Sequence, residues 1–255
     1  MPVWTSRRSI FPPVSMATED GIVALGGQPD PETLKDAYSH GIFPWPHEGL
    51  PLLWFSPDPR FVLVPQRAHL PRSLRKRMRR GDFEVRADTA FAQVIRGCAR
   101  KPRPGQDGTW ITDEMLAGYS ALHAEGLAHS IETWQDGALV GGLYGVSFGG
   151  VFFGESMYTE VPDASKVAFA TLLGNLVRWN FQLVDCQSWT GHLERFGAVE
   201  WPRPRFLAAL ERALRLPTRQ GPWRLDLGPM EAAEALTPDP SPTSGRGEQR
   251  EGKKL

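Results

Sequence analysis

The stretch from residue 130 to residue 186 constrains the fold more than any other part of the chain. It contains three apolar segments joined by two short glycine turns, then an amphipathic helix, then a fourth apolar segment. Such turns predict antiparallel hairpins, and the i, i+3, i+4, i+7 spacing of Phe169, Leu172, Leu173 and Leu176 predicts one buried helix face. Strands are expected at 130–134, 139–146, 151–154 and 183–186. This order of elements predicts an α+β fold with an acyltransferase-like sheet.

The remaining sequence predicts two domains and a tail. Residues 1–60 are rich in Pro, Gly and aromatic residues and contain one clear helix, with Asp30 as N-cap, Pro31 in its first turn and Gly41 as C-cap. Residues 61–235 form the larger domain, with a strand at 61–64 and helices after Pro71, at 90–99 and at 113–125. Residues 236–255 offer almost nothing apolar to bury and are expected to be a disordered tail.

Composition argues against several classes of protein. Basic and acidic residues number 29 each, so no global charge attracts nucleic acid or an anionic membrane. No apolar run approaches the roughly 20 residues of a membrane-spanning helix, and the start lacks the apolar segment of a signal peptide. We therefore expect a soluble, cytoplasmic protein without membrane contact. The two cysteines and six scattered histidines show no metal-ligand spacing, so no metal site is expected.

Two carboxylates in strand-like segments mark a candidate site. Glu155 follows Phe152-Phe153-Gly154, and Asp185 follows Leu183-Val184, each where a buried strand is expected to end. A buried carboxylate is costly unless a charged or hydrogen-bonding group meets it, so such strands are commonly built around a ligand. If the helix between them is a crossover, the two carboxylates lie on neighbouring strands, and Gln187 faces the same side as Asp185. The alternative is two strand-end carboxylates that pair with unrelated cations.

A basic segment favours a polyphosphate partner such as nucleic acid. It predicts a cationic amphipathic helix with Leu74 and Met78 on its apolar face. Its basic residues are Arg72, Arg75, Lys76, Arg77, Arg79 and Arg80. The alternative is a solvated charged surface without a partner.

Aromatic residues and one cysteine provide further candidates. Trp45, Trp54 and Trp110 lie in loops rich in Pro, Gly and Ser, where an indole is expected either to pack at a domain interface or to stack on a planar ligand such as an unpaired base. Cys186 with His129 or His192 as its base is a conceivable nucleophile, although sequence order alone gives it little support.

Seven motifs in order resemble the bacterial leucyl/phenylalanyl-tRNA–protein transferases, and the resemblance covers about residues 11–206. The motifs are Gly41-Ile42-Phe43-Pro44-Trp45, Trp54-Phe55-Ser56-Pro57-Asp58-Pro59-Arg60, Gly108-Thr109-Trp110-Ile111-Thr112, His129-Ser130-Ile131-Glu132, Leu139-Val140-Gly141-Gly142-Leu143-Tyr144-Gly145, Phe153-Gly154-Glu155-Ser156-Met157 and Val184-Asp185-Cys186-Gln187. The resemblance implies a small N-terminal domain on a domain like the GCN5-related acetyltransferases. It also implies transfer of Leu or Phe, with Met a further candidate, from aminoacyl-tRNA to proteins that begin with Arg or Lys, which marks them for degradation by the N-degron pathway.

The resemblance also implies roles for individual residues. Asp185 and Gln187 would be the catalytic pair, with Asp185 acting through Gln187 to orient the amine and take a proton after attack begins. Glu155 would help to recognise the basic N-terminal residue of the acceptor protein. Trp45 and Trp110 would flank the terminal adenosine, Leu143 and Phe152 would line the pocket for the transferred side chain, and the basic helix would hold the tRNA backbone. An aminoacyl ester is already activated, so no cofactor is expected, and a monomer is the default.

Two other functions fit parts of the sequence. An acetyl-CoA-dependent N-acetyltransferase would need bare amides for the pyrophosphate, and the turn Glu160-Val161-Pro162-Asp163 is acidic instead. A non-catalytic RNA-binding module would account for the basic helix and the tryptophans but would leave Glu155, Asp185 and Gln187 without a purpose.

Overall fold

The structure, a computed structural model, describes residues 9–47, 49–100 and 111–236. The predicted tail and Trp110 therefore lie outside the described residues, apart from Leu236 at the start of the tail. Among the described residues, no helix combines the length and the apolar character that crossing a membrane requires.

Two sheets and eight α-helices make up the described chain. The strands are β1 Ile22–Leu25, β2 Phe43–Trp45, β3 Leu53–Phe55, β4 Arg60–Leu63, β5 Glu84–Ala87, β6 Ala128–Gln135, β7 Ala138–Phe148, β8 Val151–Thr159, β9 Leu183–Gln187 and β10 Val199–Trp201. The helices are α1 Pro31–Ser39, α2 Arg72–Met78, α3 Phe91–Arg100, α4 Asp113–Ala124, α5 Ala164–Arg178, α6 Gly191–Glu194, α7 Arg203–Leu214 and α8 Pro229–Ala235.

The N-terminal part forms a small antiparallel sheet with the order β1-β3-β2. Helix α1 begins as predicted, because the Asp30 carboxylate accepts hydrogen bonds from the N–H groups of Glu32 and Thr33. It ends at Ser39 with His40 as the cap, and Gly41 follows in the left-handed conformation that lets the chain turn into β2.

The larger part forms a seven-stranded mixed sheet with the order β10-β4-β9-β8-β7-β6-β5. All neighbouring strands are antiparallel except β8 and β9, which are parallel and joined by the crossover helix α5. The predicted meander of β6, β7 and β8 and the predicted crossover are therefore confirmed. The α+β class with a mixed sheet and a separate N-terminal part is also confirmed, while the predicted domain boundaries and the likeness to acetyltransferases stay predictions.

Two apolar cores cover the two faces of the large sheet. One core packs α1, α3, α4 and α7 together with the small N-terminal sheet, and it contains Tyr38 and Tyr119. The other packs α2, α5 and α8, and it contains Leu74, Met78 and the apolar face of α5. Helix α5 is buried along most of its length, which explains why its sequence is apolar on more than one face.

Two of the β-bulges in the large sheet lie on β8 and β9. On β8, Gly154 and Ser156 pair with consecutive residues of β7, so Glu155 is an extra residue in the strand. On β9, Cys186 is the extra residue opposite β4. The prediction that the strand ends at residue 154 was wrong, because β8 continues through the bulge to Thr159. Glu155 thus lies within a strand and not at its end.

Candidate active site

A cavity of about 580 Å³ opens where β8 and β9 separate. The two strands pair only as far as Phe153 opposite Asp185, after which β8 continues beside β7 while β9 stays beside β4. The cavity is bordered by the ends of these strands, by β2, and by the first turns of α5 and α6. Its volume and its position at diverging strands are those of a small-molecule site.

Asp185 forms a buried two-point ion pair with Arg60, the first residue of β4. Arg60 Nε lies 2.8 Å from Asp185 Oδ1 and Nη2 lies 2.6 Å from Oδ2, and neither side chain is exposed to solvent. The guanidinium lies between the rings of Phe43 and Phe206, 4.7 and 4.6 Å from their centroids. Asp185 Oδ1 also accepts the backbone N–H of Gln187 at 2.9 Å. Asp185 borders the cavity, but its carboxylate is occupied by these contacts.

Glu155 is bound by three side chains from three different elements. Tyr38 Oη of α1 and Gln187 Nε2 of β9 both lie 2.7 Å from Oε1, and Tyr119 Oη of α4 lies 2.8 Å from Oε2. The two phenol oxygens lie 2.6 Å from each other. Glu155 is 9% exposed and borders the cavity, so the residues behind it fix its carboxyl group while one edge faces the cavity.

Burial changes the acidity of this group and of its neighbours. Burial raises the pKa of Glu155 from 4.5 to about 7, and together with a smaller upward effect of the Asp185 charge it outweighs the hydrogen bonds, which lower this pKa. Burial, and next the charge of Glu155, hold the pKa of Tyr38 and of Tyr119 well above the ordinary phenol value, so both phenols stay protonated. The site therefore holds a carboxyl group that titrates near neutrality.

The predicted arrangement of Asp185 and Gln187 was wrong. A regular strand would place both side chains on one face, but the bulge at Cys186 and the positive φ of Gln187 interrupt the alternation. As a result, the Gln187 side chain donates to Glu155 and only its backbone N–H reaches Asp185. The neighbouring-strand arrangement of Glu155 and Asp185, by contrast, is as expected.

The remaining walls of the cavity are mainly apolar. Leu143 of β7 and Phe152 of β8 are buried and border it, together with Phe169, Val184 and Cys186. Burial strongly raises the pKa of the Cys186 thiol, and the contact of its sulfur within hydrogen-bond range is the Val184 carbonyl at 3.9 Å. A thiolate nucleophile is therefore disfavoured at Cys186, and this residue serves as part of the apolar wall.

Aromatic residues surround the mouth of the cavity. Trp45, at the end of β2, borders the cavity and packs edge-on against Phe55. Trp54, by contrast, is buried in the core that includes the small N-terminal sheet. Trp189, in the loop after β9, borders the cavity and is 58% exposed. His192 of α6 also borders it, and burial lowers the pKa of this imidazole.

The basic segment forms the predicted amphipathic helix α2. Leu74 and Met78 are buried against α5 and α8, and most of the basic side chains lie on the opposite surface. Arg77 pairs with Asp82 and lies over the ring of Phe83. The structure brings none of these basic residues to the cavity, but α2 packs on α5, whose first turns form one of its walls.

Sequence reasoning did not assign a role to Arg60, Tyr38, Tyr119 or Trp189. Arg60 begins a strand that is buried along its whole length, so the argument applied to Asp185 could have singled it out. The two tyrosines gave no such signal, because each lies among the apolar residues of an ordinary amphipathic helix. In the described ranges, no group of three or more His, Cys, Asp or Glu residues is placed to hold a metal ion.

These features define an α+β protein with a small-molecule-sized cavity that combines an apolar wall with a buried glutamate, glutamine and arginine–aspartate pair. Residues 62–211 match the family model described as leucyl/phenylalanyl-tRNA protein transferase, and residues 27–58 match the N-terminal domain of the same family. The chain belongs to the leucyl/phenylalanyl-tRNA protein transferase family, and it is an aminoacyltransferase.

Several relatives carry this name. A leucyl/phenylalanyl-tRNA–protein transferase of Myxococcus xanthus is 59% identical over 214 residues, which cover 84% of this chain and 92% of the relative. One from an Anaeromyxobacter species is 55% identical over 222 residues, covering 87% and 94%. One from Nitratidesulfovibrio vulgaris is 57% identical over 216 residues, covering 85% and 92%. The match therefore extends over nearly the whole length of each relative.

Proposed function

We propose that this aminoacyltransferase moves Leu or Phe from aminoacyl-tRNA to the α-amino group of proteins that begin with Arg or Lys, which marks them for degradation by the N-degron pathway. The observation that carries the proposal is the composition of the cavity, where an apolar wall meets the Glu155–Gln187 pair. An apolar side chain and an amine are the two groups that such a transfer must bring together. We further infer that the protein acts in the cytoplasm as a monomer.

The apolar wall supports an aliphatic or aromatic donor side chain. Leu143, Phe152, Phe169 and Val184 offer no charged group to this part of the cavity. A hydrophobic pocket separates ligands that differ by one methylene by only about 1–3 kcal/mol. Acceptance of both Leu and Phe, and some acceptance of Met, follows from this weak discrimination.

The polar side of the cavity supports a cationic acceptor. Glu155 carries negative charge whenever it is ionised, and its Oε1 is already occupied by Tyr38 and Gln187. Oε2 accepts Tyr119 and retains one free acceptor position. The field of the carboxylate therefore favours an acceptor whose N-terminal residue is basic, while few positions remain for direct contact.

Asp185 supports the site as a positioning residue. Its carboxylate holds the backbone of Gln187 and is held in turn by Arg60. This arrangement fixes the Gln187 amide against Glu155. Because the aminoacyl ester is already activated, orientation of the amine against the carbonyl can supply much of the rate enhancement.

The outer surface supports binding of the tRNA. Trp45 borders the cavity, and we propose that it stacks on the terminal adenosine, a role that we extend to Trp110 on the basis of the family resemblance. Helix α2 presents basic side chains next to α5 and is proposed to contact the phosphate backbone.

The decisive experiment supplies labelled Phe-tRNA and peptides that differ only in the first residue, Arg, Lys or Ala. Label in the Arg and Lys peptides but not in the Ala peptide is expected. Gln187→Ala should reduce transfer, whereas Gln182→Ala, which changes an exposed glutamine bonded to Asn180, serves as the matched control. Absence of label in all peptides, equal label in all three, or transfer from acetyl-CoA instead would overturn the proposal.

A further inference from the structure

The contacts around Glu155 require three protons. Glu155 Oε1 meets Tyr38 Oη at 2.7 Å, Tyr38 Oη meets Tyr119 Oη at 2.6 Å, and Tyr119 Oη meets Glu155 Oε2 at 2.8 Å. Each of these three oxygen–oxygen contacts is short enough to need a proton between the atoms. The two phenols supply only two protons. With an ionised carboxylate, one contact would therefore bring two lone pairs together in a buried space.

A protonated, neutral Glu155 supplies the third proton that these contacts need. Gln187 Nε2 donates to Oε1, so Oε1 is an acceptor and the carboxyl proton belongs on Oε2. Oε2 then donates to Tyr119, Tyr119 donates to Tyr38, and Tyr38 donates to Oε1. These three hydrogen bonds form a closed ring through Glu155, Tyr119 and Tyr38, in which each O–H group donates to the next group and no two lone pairs meet. The ring thus stabilises a proton on Glu155 in a manner that burial alone would not.

The surroundings leave Glu155 as the group that can exchange this proton. Asp185 faces it from β9, but that carboxylate is neutralised by Arg60 of β4. Tyr144 of β7 packs edge-on against Tyr119, with centroids 5.3 Å apart. The other titratable groups at the cavity are Lys166 of α5, which pairs with Asp163, His192 of α6, and the Cys186 thiol of β9, whose pKa burial raises strongly. The pKa of Glu155, about 7, matches a group that must be ionised before the reaction and protonated during it.

We infer that Glu155 is the proton acceptor of the transfer step and that Tyr38 and Tyr119 hold the proton it takes up. This inference rests on the proposed function. Tyr38 and Tyr119 do not border the cavity, so they act through Glu155 as positioning residues. Asp185 is unsuited to the same task, because accepting a proton would break its pair with Arg60.

All protons and bonds of the transfer step are accounted for when Glu155 carries one proton temporarily. The acceptor α-ammonium first loses one proton to water, and the neutral amine attacks the ester carbonyl. The C–N bond forms and the C–O bond to the ribose breaks. Of the two protons left on nitrogen, one remains as the amide N–H. The other passes to the free position on Oε2 of Glu155; the O–H then turns toward Tyr119 as the Tyr119 hydroxyl turns toward Tyr38, which closes the ring, and the reverse motion delivers the proton to the departing ribose oxygen.

This role is compatible with selection of a basic acceptor. Charge attraction acts over several ångströms, whereas proton transfer requires direct contact. Glu155 has one acceptor position free on Oε2. That position receives the α-nitrogen, and the basic side chain is attracted by the field of the carboxylate.

Infrared spectroscopy of the full chain detects the proton on the Glu155 carboxyl group and does not depend on transfer activity. The carbonyl band of a protonated carboxyl group, followed against pH and corrected with Glu155→Gln, should disappear with a midpoint near the Glu155 pKa of about 7. Tyr119→Phe and Tyr38→Phe each open the ring: they remove a partner of the protonated carboxyl group and relieve the lone-pair contact that penalises the ionised form, so the midpoint should fall by about one unit. Tyr158→Phe, a buried tyrosine of β8 that packs over Gly97, should leave it unchanged. A wild-type midpoint near the ordinary 4.5, or midpoints of the two phenylalanine variants that rise or do not move, would refute the ring.

Single-turnover transfer at saturating peptide and Phe-tRNA tests the use of the proton. The wild-type rate should rise through the same pH as the infrared midpoint, and the Tyr119→Phe rise should move with its own midpoint. Glu155→Gln should abolish this rise of the rate with pH and reduce the rate by at least about 100-fold. If Glu155→Gln instead raises KM for the peptide but keeps the wild-type rate and its pH dependence, Glu155 serves only in recognition and the proton-acceptor role is overturned. If the wild type transfers nothing, the proposed function and the proton-acceptor role fail together, while the infrared result still decides whether the ring exists.

Discussion

Arg60 and Asp185, which are 125 residues apart in the chain, form a bidentate ion pair with no solvent exposure on either side chain. The pair joins the first residue of β4 to the bulged strand β9 and, through the N–H of Gln187, fixes the position of the Gln187 amide in the cavity. Arg60 Nη1 also donates to the Gly41 carbonyl at 3.0 Å, which links the N-terminal part to the same point. One buried pair therefore connects the packing of the two parts of the chain to the geometry of the site.

Removal of one partner of this pair should be costly. Arg60→Met leaves the Asp185 carboxylate buried without a counter-charge, and we expect a loss of about 3–5 kcal/mol in the free energy of unfolding. The double variant Arg60→Met/Asp185→Leu removes both charges and should regain much of that loss, but not the transfer activity, because Gln187 loses its anchor. Urea unfolding and the transfer assay on the same samples measure the two effects.

A matched control separates buried from exposed charge. Arg215 pairs with Glu211 on the surface of α7, and both side chains are about 70% exposed. Arg215→Met should leave stability nearly unchanged, since exposed pairs contribute little. A double variant of the buried pair that is no more stable than Arg60→Met alone would contradict the account.

The pKa of Glu155 makes stability depend on pH. Because folding raises this pKa from 4.5 to about 7, the folded state holds the proton more tightly, so the stabilisation is complete below pH 4.5 and is lost as the pH rises to about 7. The loss should be on the order of 3 kcal/mol, from 1.36 kcal/mol per pKa unit. Denaturant unfolding at a series of pH values from 4.5 to 8 measures it.

Comparison with Glu155→Gln isolates this contribution. His129 and His192 act in the opposite direction, since burial lowers the pKa of each imidazole and stability from them grows as the pH rises. Both histidines are present in the wild type and in the variant, so their effects cancel in the difference. A difference that does not change between pH 4.5 and pH 8 would show that Glu155 titrates as an exposed carboxyl group does.

Much of the fold follows from local pattern. The hairpin turns, the spacing of the apolar face of α5 and the caps of α1 are signals within a few residues, and they predicted elements close to those observed. The bulges at Glu155 and Cys186 have no comparable signal, because one inserted residue changes pairing across strands without changing the composition of either strand.

The contacts of the site depend on topology. The sequence singled out Glu155, Asp185 and Gln187 as individual residues, but Tyr38 and Tyr119 reach Glu155 from 117 and 36 residues away. Only the packing of α1 and α4 on one face of the sheet brings them together. The direction of the Gln187 side chain could not be predicted either, since it depends on a bulge and a positive φ angle.

Gly145 should tolerate no side chain. A Cβ atom there would lie 2.2 Å from the Phe153 carbonyl oxygen and 2.5 Å from the ring of Phe152. We expect Gly145→Ala to cost about 1–3 kcal/mol of stability and to displace Phe152 from the cavity wall, which lowers transfer. Gly154→Ala provides the stability control, because its nearest contact is the Asp185 carbonyl oxygen at 3.7 Å. Equal stability of the two variants would contradict the close packing at the bulge.

Helix α2 should contribute to tRNA binding through charge alone. Arg72, Lys76, Arg79 and Arg80 are exposed, whereas Arg77 is engaged by Asp82. Changing one exposed residue to Gln should weaken aminoacyl-tRNA binding and reduce the slope of log K against log salt by about 1, with no change in KM for the acceptor peptide. Arg77→Gln should have a smaller effect, and Arg215→Gln on α7 controls for loss of charge elsewhere. Fluorescence titrations at several salt concentrations measure the slopes, and slopes that match the wild type in all four exposed-residue variants would place the tRNA on another surface.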